Sequence, residues 1–156
     1  NLYTSYASRL TMPMIPCWQF LESNPNAFMF LAPASNNYNY SGTGFSLGFY
    51  PGTSTAHNIV VLPQFEEEIS NLEFTCMTRP EGTSSNTGSF DFGYVTNPSN
   101  DSTFVALQHY NYSDFNNSYA EVTVTFENAP IGARIAMRHN AAASNWYWFV
   151  DDVDDT

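Results

Sequence analysis

Basic side chains are almost absent from this chain of 156 residues. It contains no lysine and only four arginines against 15 acidic residues, which gives a formal net charge of −11 at pH 7. A nucleic-acid partner requires clustered lysines and arginines that neutralise phosphates, so we expect neither DNA nor RNA binding. No apolar run approaches the roughly 20 residues of a membrane-spanning helix, so we expect no membrane insertion either.

Cysteine is scarce as well, and the two that occur leave two interpretations open. In an oxidising compartment Cys17 and Cys76 would close a loop of roughly 60 residues, worth about 4 kcal/mol in the chain-entropy model. Alternatively Cys76, which falls on the inward side of a predicted strand, is a buried free thiol. Two cysteines without a histidine or cysteine at ligand spacing do not predict a zinc site.

Aromatic residues are abundant, at 17% of the chain. They fit the half-buried surface of β-strands, and they alternate with small or polar residues along much of the sequence. The alternation predicts eight to nine strands and no long helix, hence an all-β, two-sheet antiparallel β-sandwich with residues 1–156 forming one domain. The predicted strands are Phe28–Leu31, Phe45–Tyr50, His57–Leu62, Ile69–Arg79, Phe90–Val95, Thr103–Tyr110, Glu121–Phe126, Arg134–His139 and Trp146–Val153.

The last two of these strands flank the polar segment Asn140–Asn145, which predicts a β-hairpin. Both faces of the final strand are apolar until it reaches two carboxylates, so it should be a central strand covered on both sides. The predicted cross-strand pairs are Arg138 with Tyr147, Ala136 with Phe149 and Arg134 with Asp151.

Asp151 and Asp152 are the candidate metal ligands. An ion pair with Arg134 would explain Asp151 without a metal. Asp152 continues the face of the preceding apolar residues, where it needs backbone donors, an arginine or a cation. Calcium takes six to eight oxygen ligands, so a structural calcium ion is one hypothesis and a hydrogen-bonded structural aspartate the other. The further acids considered for such a shell are Glu22, Asp154 and the run Glu66–Glu68.

Tyrosines beside asparagines on predicted loops are the candidate ligand surface. A sugar ring exposes an apolar face bordered by hydroxyls, so a sugar site needs exposed aromatic rings next to a few polar groups. Tyrosine and asparagine are also common in loops that bind nothing. The candidate ligand-binding residues are Tyr38, Tyr40, Tyr110, Tyr112, Trp146 and Tyr147.

Signals of catalysis are missing. His57, His109 and His139 lie on or near strands, and neither a GxSxG nor an HExxH phrase accompanies them. We therefore expect structural or surface histidines and no catalytic residues, which predicts that the chain is not an enzyme and requires no cofactor.

Several phrases together carry a resemblance to a known family. In order and spacing the set resembles the secreted jelly-roll modules of Bacteroidetes known as cleaved-adhesin or choice-of-anchor modules, which are similar to MAM domains, galactose-binding-like domains and carbohydrate-binding modules. The phrases are Met14–Trp18 (MIPCW), Ser41–Phe49 (SGTGFSLGF), Val61–Phe74 (VLPQFEEEISNLEF), Phe92–Phe104 (FGYVTNPSNDSTF) and Arg134–Val153 with its closing WYWFVDDV.

The resemblance implies a jelly-roll β-sandwich that acts as a non-catalytic binding or adhesion module of a larger secreted or cell-surface protein, with glycans as the expected ligands. The alternative is protein–protein adhesion, with a host or extracellular protein as partner, or a structural spacer; a glycoside hydrolase is the weaker third hypothesis. We expect a monomeric module whose targeting segment has been removed before Asn1. Some family members hold calcium, but this chain lacks a DxDxDG loop.

Overall fold

The computed structural model is built almost entirely of β-strands. It describes residues 2–3, 18–22, 28–33, 40, 45–50, 56–81, 88–116, 118–142 and 147–154. The strands are β1 Leu2–Tyr3, β2 Gln19–Glu22, β3 Phe28–Pro33, β4 Phe45–Tyr50, β5 Ala56–Val61, β6 Glu73–Pro80, β7 Ser89–Val95, β8 Phe104–Asn111, β9 Ala120–Thr125, β10 Arg134–Ala141 and β11 Trp148–Asp154. Three short 3₁₀ helices in the described part are Ile69–Asn71, Asp101–Thr103 and Tyr112–Asp114.

The strands form two sheets. One has six strands in the order β1-β3-β4-β11-β6-β9, and the other has five in the order β2-β5-β10-β7-β8. All neighbours are antiparallel except the edge pair β1 and β3. The predicted all-β, two-sheet sandwich is therefore confirmed. Among the described residues no helix is long and apolar enough to cross a membrane.

The core between the sheets consists of the alternate residues that each strand directs inward. From the six-stranded sheet it receives Phe49, Phe74 and Trp148, and from the five-stranded sheet Phe90 and Met137, all buried. The predicted inward positions of β6 and β9 are confirmed as well. These are Phe74, Cys76, Val122 and Val124.

The predicted closing hairpin is wrong. β10 pairs with β5 and β7 in one sheet, whereas β11 pairs with β4 and β6 in the other. The predicted pairs of Arg138 with Tyr147, Ala136 with Phe149 and Arg134 with Asp151 therefore do not form. β11 is apolar on both faces, whereas β10 directs Ile135 and Met137 inward and Arg134 and Arg138 outward. Placing the two strands in different sheets lets their inner faces meet across the core.

β11 is the central strand that the sequence predicts. Trp148 and Val150 face the core, while Phe149 is fully buried on the opposite side of the same sheet. Ser46, on neighbouring β4, is also buried on that side. The six-stranded sheet is therefore covered on its outer face along this strand, as the two-sided apolar pattern predicts.

β8 joins the five-stranded sheet through a register shift between Phe92 and Gly93 of β7. The shift brings the β8 backbone so close to Gly93 that a Cβ there would lie 1.9 Å from the carbonyl oxygen of Val105. Only glycine fits at this crossing, because the clash is with backbone and no side-chain rotation relieves it.

Cys76 is a free thiol in the structure and is buried in the core. Cys17 lies outside the described residues. Burial raises the pKa of the Cys76 thiol well above its usual value, because the thiolate would lose its hydration. Of the two sequence interpretations, the structure agrees with the buried thiol.

A thiol this deeply buried should react only when the chain opens. In a Cys17→Ser variant, which leaves Cys76 alone, we expect no labelling by a chromogenic disulfide reagent in native buffer and one equivalent in denaturant. Rapid labelling of the folded variant at neutral pH would contradict the burial of Cys76.

Candidate functional site

A cluster of tyrosines covers the outer side of the six-stranded sheet. We call it the tyrosine face and define it by Tyr40, Tyr50, Tyr119 and Tyr147 with the Arg79 side chain. Tyr40 is half exposed, at 50%. Its ring meets the edge of the Tyr119 ring, with the centroids 5.4 Å apart. This is the most exposed aromatic residue that the described part of the chain offers.

Tyr119 holds the centre of this face. It precedes β9, at the edge of the sheet, yet its hydroxyl shares a hydrogen bond with Ser46 on β4, so the side chain reaches across β6 and β11. The Arg79 guanidinium carbon lies 5.8 Å from the centre of its ring, a cation–π distance. Burial raises the pKa of the Tyr119 hydroxyl, which therefore stays protonated at neutral pH.

Tyr147 and Tyr50 form the second pair, with ring centroids 5.4 Å apart. Glu81 fixes the backbone of Tyr147: its amide donates to the Tyr147 carbonyl at 2.8 Å, and its Oε2 accepts from the Tyr147 amide at 3.2 Å. Burial raises the pKa of Glu81, while the Tyr147 amide and the Arg79 charge act against that rise.

The two candidate metal ligands have different environments. Asp151 is buried and accepts backbone hydrogen bonds on both oxygens, from the Tyr40 amide at 2.8 Å and the Asp152 amide at 2.9 Å. The predicted position of Asp152 on the face of Trp148 is wrong, because a bulge follows Asp151 and Asp152 takes φ = 48° and is exposed. The bulge turns the second carboxylate out of the core.

The two backbone amides therefore satisfy the buried Asp151 carboxylate without a cation. This arrangement matches the hypothesis of a hydrogen-bonded structural aspartate. Within the part of the chain that the structure describes, no three His, Cys, Asp or Glu side chains lie close enough to hold a metal ion. Asp151 instead ties Tyr40 to the end of β11 and so positions the exposed ring of the tyrosine face. The calcium ion stays an untested prediction.

The predicted ligand residues divide into three groups. Tyr40 and Tyr147 belong to the tyrosine face. Tyr112 does not lie on a ligand surface: its short 3₁₀ helix directs it into the core, where its hydroxyl lies 2.8 Å from His139 Nε2 and 3.1 Å from the Tyr147 carbonyl. Tyr110 is partly buried, with its ring against Phe92 and Phe115. Tyr38 and Trp146 lie outside the described residues.

Sequence reasoning missed Tyr50, Tyr119 and Arg79. Tyr119 precedes Glu121 and Thr123 at two-residue spacing, and both of those side chains are exposed. That alternation indicates that Tyr119 points away from the core. Its reach over the sheet, however, depends on β4 and β9 belonging to the same sheet, which local pattern does not reveal.

A second polar site lies on the outer side of the five-stranded sheet, on the far side of the sandwich. Asp91 of β7 is buried there, and its Oδ1 lies 2.6 Å from His109 Nδ1. Its Oδ2 accepts from Arg138 Nη2 at 2.8 Å and from Asn140 Nδ2 at 2.7 Å. The chain of bonds continues from Asn140 to His57 on β5. We call this set the Asp91 row; its members are His57, Asn140, Arg138, Asp91, His109 and, at the other end, Asn111.

The chain has the fold of a jelly-roll β-sandwich module, with two mainly antiparallel sheets in this strand order. The outer faces of these sheets carry polar and aromatic residues. No protein-family model matches the sequence, and no curated protein matches it significantly. Solved structures do share the fold. The K1 cleaved adhesin domain of Lys-gingipain from Porphyromonas gingivalis superposes with a TM-score of 0.67 at 12% identity, covering 92% of each chain.

Carbohydrate-binding modules share it too. TmCBM61, solved with β-1,4-galactotriose, matches with a TM-score of 0.61 at 9% identity, over 90% of this chain and 88% of that one. The xylanase 10B fragment of Clostridium thermocellum, solved with xylohexaose, matches with a TM-score of 0.59 at 12% identity, over 90% of this chain and 26% of that one. The predicted likeness to cleaved-adhesin and carbohydrate-binding modules is confirmed for the fold.

Proposed function

We propose that this chain is a non-catalytic glycan-binding module of a secreted or cell-surface protein, and that the tyrosine face is its binding site. The observation that carries the proposal is the half-exposed Tyr40 ring, held against Tyr119 and tied to Asp151 by its backbone. An exposed ring that is fixed by its neighbours loses little conformational entropy when a ligand stacks on it.

The chemistry around that ring suits a sugar. Tyrosine rings offer an apolar surface for the C–H face of a pyranose, and their hydroxyls offer hydrogen bonds at its rim. Arg79, beside Tyr119, adds a planar cation with several donors. A net charge of −11 keeps nucleic acids and other polyanions away, so an uncharged glycan is the ligand that this face favours.

The structural neighbours support the same class of function. A cleaved adhesin domain and a carbohydrate-binding module solved with β-1,4-galactotriose share this fold, which supports a binding role for this chain. The oligosaccharides in those structures, β-1,4-galactotriose and xylohexaose, are suitable first probes.

Titration calorimetry of the chain with each of these oligosaccharides tests the proposal. We expect Tyr40→Ala to weaken binding about tenfold, which corresponds to roughly 1.4 kcal/mol of lost ring contact. Tyr40→Phe is the matched control, because it keeps the ring and should stay within about threefold of the natural chain. Tyr40 is half exposed, so neither change should alter the unfolding midpoint much.

A folded chain that binds neither oligosaccharide nor any member of a wider glycan array would contradict the proposal and would favour protein adhesion or a spacer role. Equal affinity of Tyr40→Ala and the natural chain would remove the tyrosine face as the site. Repeating the titration and the thermal unfolding with a chelator tests calcium, since an ion bound only to the folded chain must raise its midpoint.

A further inference from the structure

The outer side of the five-stranded sheet is ordered in rows that cross β10, β7 and β8. Arg138, Asp91 and His109 stand opposite one another in the strand register and form a polar row. The next row toward the other end of the strands has only small residues, Ala136, Gly93 and Ala106. Larger neighbours cover part of this row, because Ala136 is fully buried in a cluster with Ile59, Val61 and Val95 against which Phe104 packs.

Arg138 lies across this row of small residues. Its guanidinium carbon is 4.5 Å from the centre of the Phe104 ring, which lies beyond the small residues, opposite Val95. A guanidinium stacked on an aromatic ring is held flat and is weakly hydrated, so its outer surface behaves much like a planar ring. The Arg138 side chain is 30% exposed, so part of that surface is open.

Asp91 fixes the orientation of this plane. Arginine carries five N–H donors, and those on Nε and Nη2 bind Asp91 Oδ2 at 3.1 and 2.8 Å. The remaining guanidinium donors have no partner among the residues that the structure describes. His109, whose Nδ1 is bound to Asp91 Oδ1, is 54% exposed. Both side chains are therefore pre-oriented and accessible.

The network lies outside the core between the sheets, and a buried ion pair often stabilises a fold no better than apolar residues of similar size, because desolvating the charges is costly. What the network does supply is a rigid set of planar polar groups. Such pre-organisation lowers the entropic cost of binding, which is the property of a ligand site.

We propose that the Asp91 row and the Arg138 plane form a second glycan-binding surface, on the opposite side of the sandwich from the tyrosine face, so that one module bridges two sugar chains. The inference rests on the proposed function for its ligand class. The row crosses four adjacent strands, β5 to β8 in the sheet order, and strands are about 4.8 Å apart. Its length of about 14 Å suits an extended oligosaccharide better than a single ion.

The groups along the row also favour an uncharged, hydroxyl-rich ligand over an anion. Asp91 neutralises Arg138 within the site, so an anion gains little net attraction. The amide groups both donate and accept, a neutral imidazole does the same through its two nitrogens, and the guanidinium only donates. A sugar hydroxyl both donates and accepts, so it can pair with each of them. The guanidinium plane supplies the stacking surface that a tyrosine supplies on the other face.

Stoichiometry in titration calorimetry, with the two oligosaccharides named above, tests the inference. The natural chain should bind two molecules, and Arg138→Lys should bind one. Lysine keeps the positive charge beside Asp91 but loses the plane over Phe104 and the paired bonds to Asp91 Oδ2, so the unfolding midpoint should fall, and the titration is run well below it. His109→Gln, at an exposed position, should weaken the same site at least about threefold and serves as the second variant. Tyr40→Ala should also leave one site, and the double variant with Arg138→Lys none.

Each result separates the two proposals. One site in the natural chain that Tyr40→Ala weakens and Arg138→Lys leaves intact would overturn the second surface and uphold the proposed function. One site that Arg138→Lys and His109→Gln both weaken, with Tyr40→Ala without effect, would uphold the Asp91 row and overturn the tyrosine face as the site. Absence of binding to a folded chain would overturn both.

Discussion

Replacing Trp148 by alanine is expected to lower the free energy of unfolding by about 3–5 kcal/mol, the range for deleting a large buried aromatic side chain. Trp148 is fully buried at the start of β11. Its ring stacks on Phe90 from the opposite sheet, with centroids 5.0 Å apart, and meets Tyr112 and Phe115 edge-on at 5.1 and 5.3 Å. Alanine would leave a cavity that three fixed rings cannot fill.

The indole of Trp148 also donates a hydrogen bond, and the energy of this bond can be measured separately from the packing of the ring. Nε1 donates to Thr78 Oγ1 at 2.6 Å, and that hydroxyl donates to the Phe149 carbonyl at 2.7 Å. Thr78→Val keeps the shape but removes the acceptor of the buried indole N–H, which should lower the free energy of unfolding by about 1–3 kcal/mol. Trp148→Phe removes the N–H but keeps most of the ring contact.

Urea unfolding of the single and double variants measures both terms. The two changes should be less than additive, because in the double variant no indole N–H remains to be left unpaired by valine. A loss below about 1 kcal/mol in Trp148→Ala would mean that Trp148 is not packed between the sheets, and the arrangement of β11 would then be wrong. If the alanine variant fails to fold, Trp148→Phe and Thr78→Val still test the contact.

Alternation along single strands accounts for the part of the fold that sequence predicts well. Phe74 and Cys76, like Val122 and Val124, are buried at two-residue spacing, because a strand directs successive side chains to opposite faces. Short strands with mixed composition escape this reasoning. β2, Gln19–Glu22, contains only two large apolar residues, and it is defined by its pairing with β5.

The hairpin error has a different physical origin. Two consecutive apolar strands pair directly in most hairpins, and nothing local to Asn140–Asn145 excludes a turn. The outcome depends on distant partners: Met137 stands opposite Phe92 and Val60, and Trp148 stands opposite Phe49 and Pro80. Such pairings depend on the order of all the strands in the two sheets. The sequence of residues 134–153 alone does not determine them.

The candidate sites divide in the same way. Tyr40, Tyr147 and Asp151 were predicted because an exposed ring and an acid at a strand end are local features. Tyr119 reaches Ser46 only because β4, β11, β6 and β9 lie side by side in one sheet. Asp91 lies between Phe90 and Phe92, so its outward direction is predictable, but its partners come from β8 and β10. Whether an outward-facing residue belongs to a site therefore depends on side chains from strands that are distant in the sequence.

His139 should make the fold sensitive to acid. It is completely buried beside Phe90 and Trp148, and burial lowers the pKa of its imidazole to about 3. Its Nε2 lies 2.8 Å from the Tyr112 hydroxyl, and its Nδ1 has no hydrogen-bond partner among the residues that the structure describes. Because burial removes the hydration of a positive charge, the folded state holds the neutral ring while the unfolded chain takes up a proton near pH 6.5.

The sign follows from linkage. Because the folded pKa lies below the unfolded one, the neutral ring contributes its full stability above about pH 6.5, and this contribution is lost as the pH falls toward 3. Between pH 7 and pH 5 the free energy of unfolding should fall by about 2 kcal/mol from this residue alone. Urea unfolding at the two pH values, compared with a His139→Gln variant that cannot titrate, isolates the contribution.

His57→Gln is the matched control, since His57 is exposed on neighbouring β5 and bonded to Asn140. It should keep nearly the whole acid dependence of the natural chain, whereas His139→Gln should lose about 2 kcal/mol of it. The glutamine variant should be less stable at pH 7, because an amide fills the ring pocket poorly, yet its stability should vary less between the two pH values. If both variants keep the dependence of the natural chain, carboxylates cause the acid sensitivity and His139 is not the buried neutral group that the structure indicates.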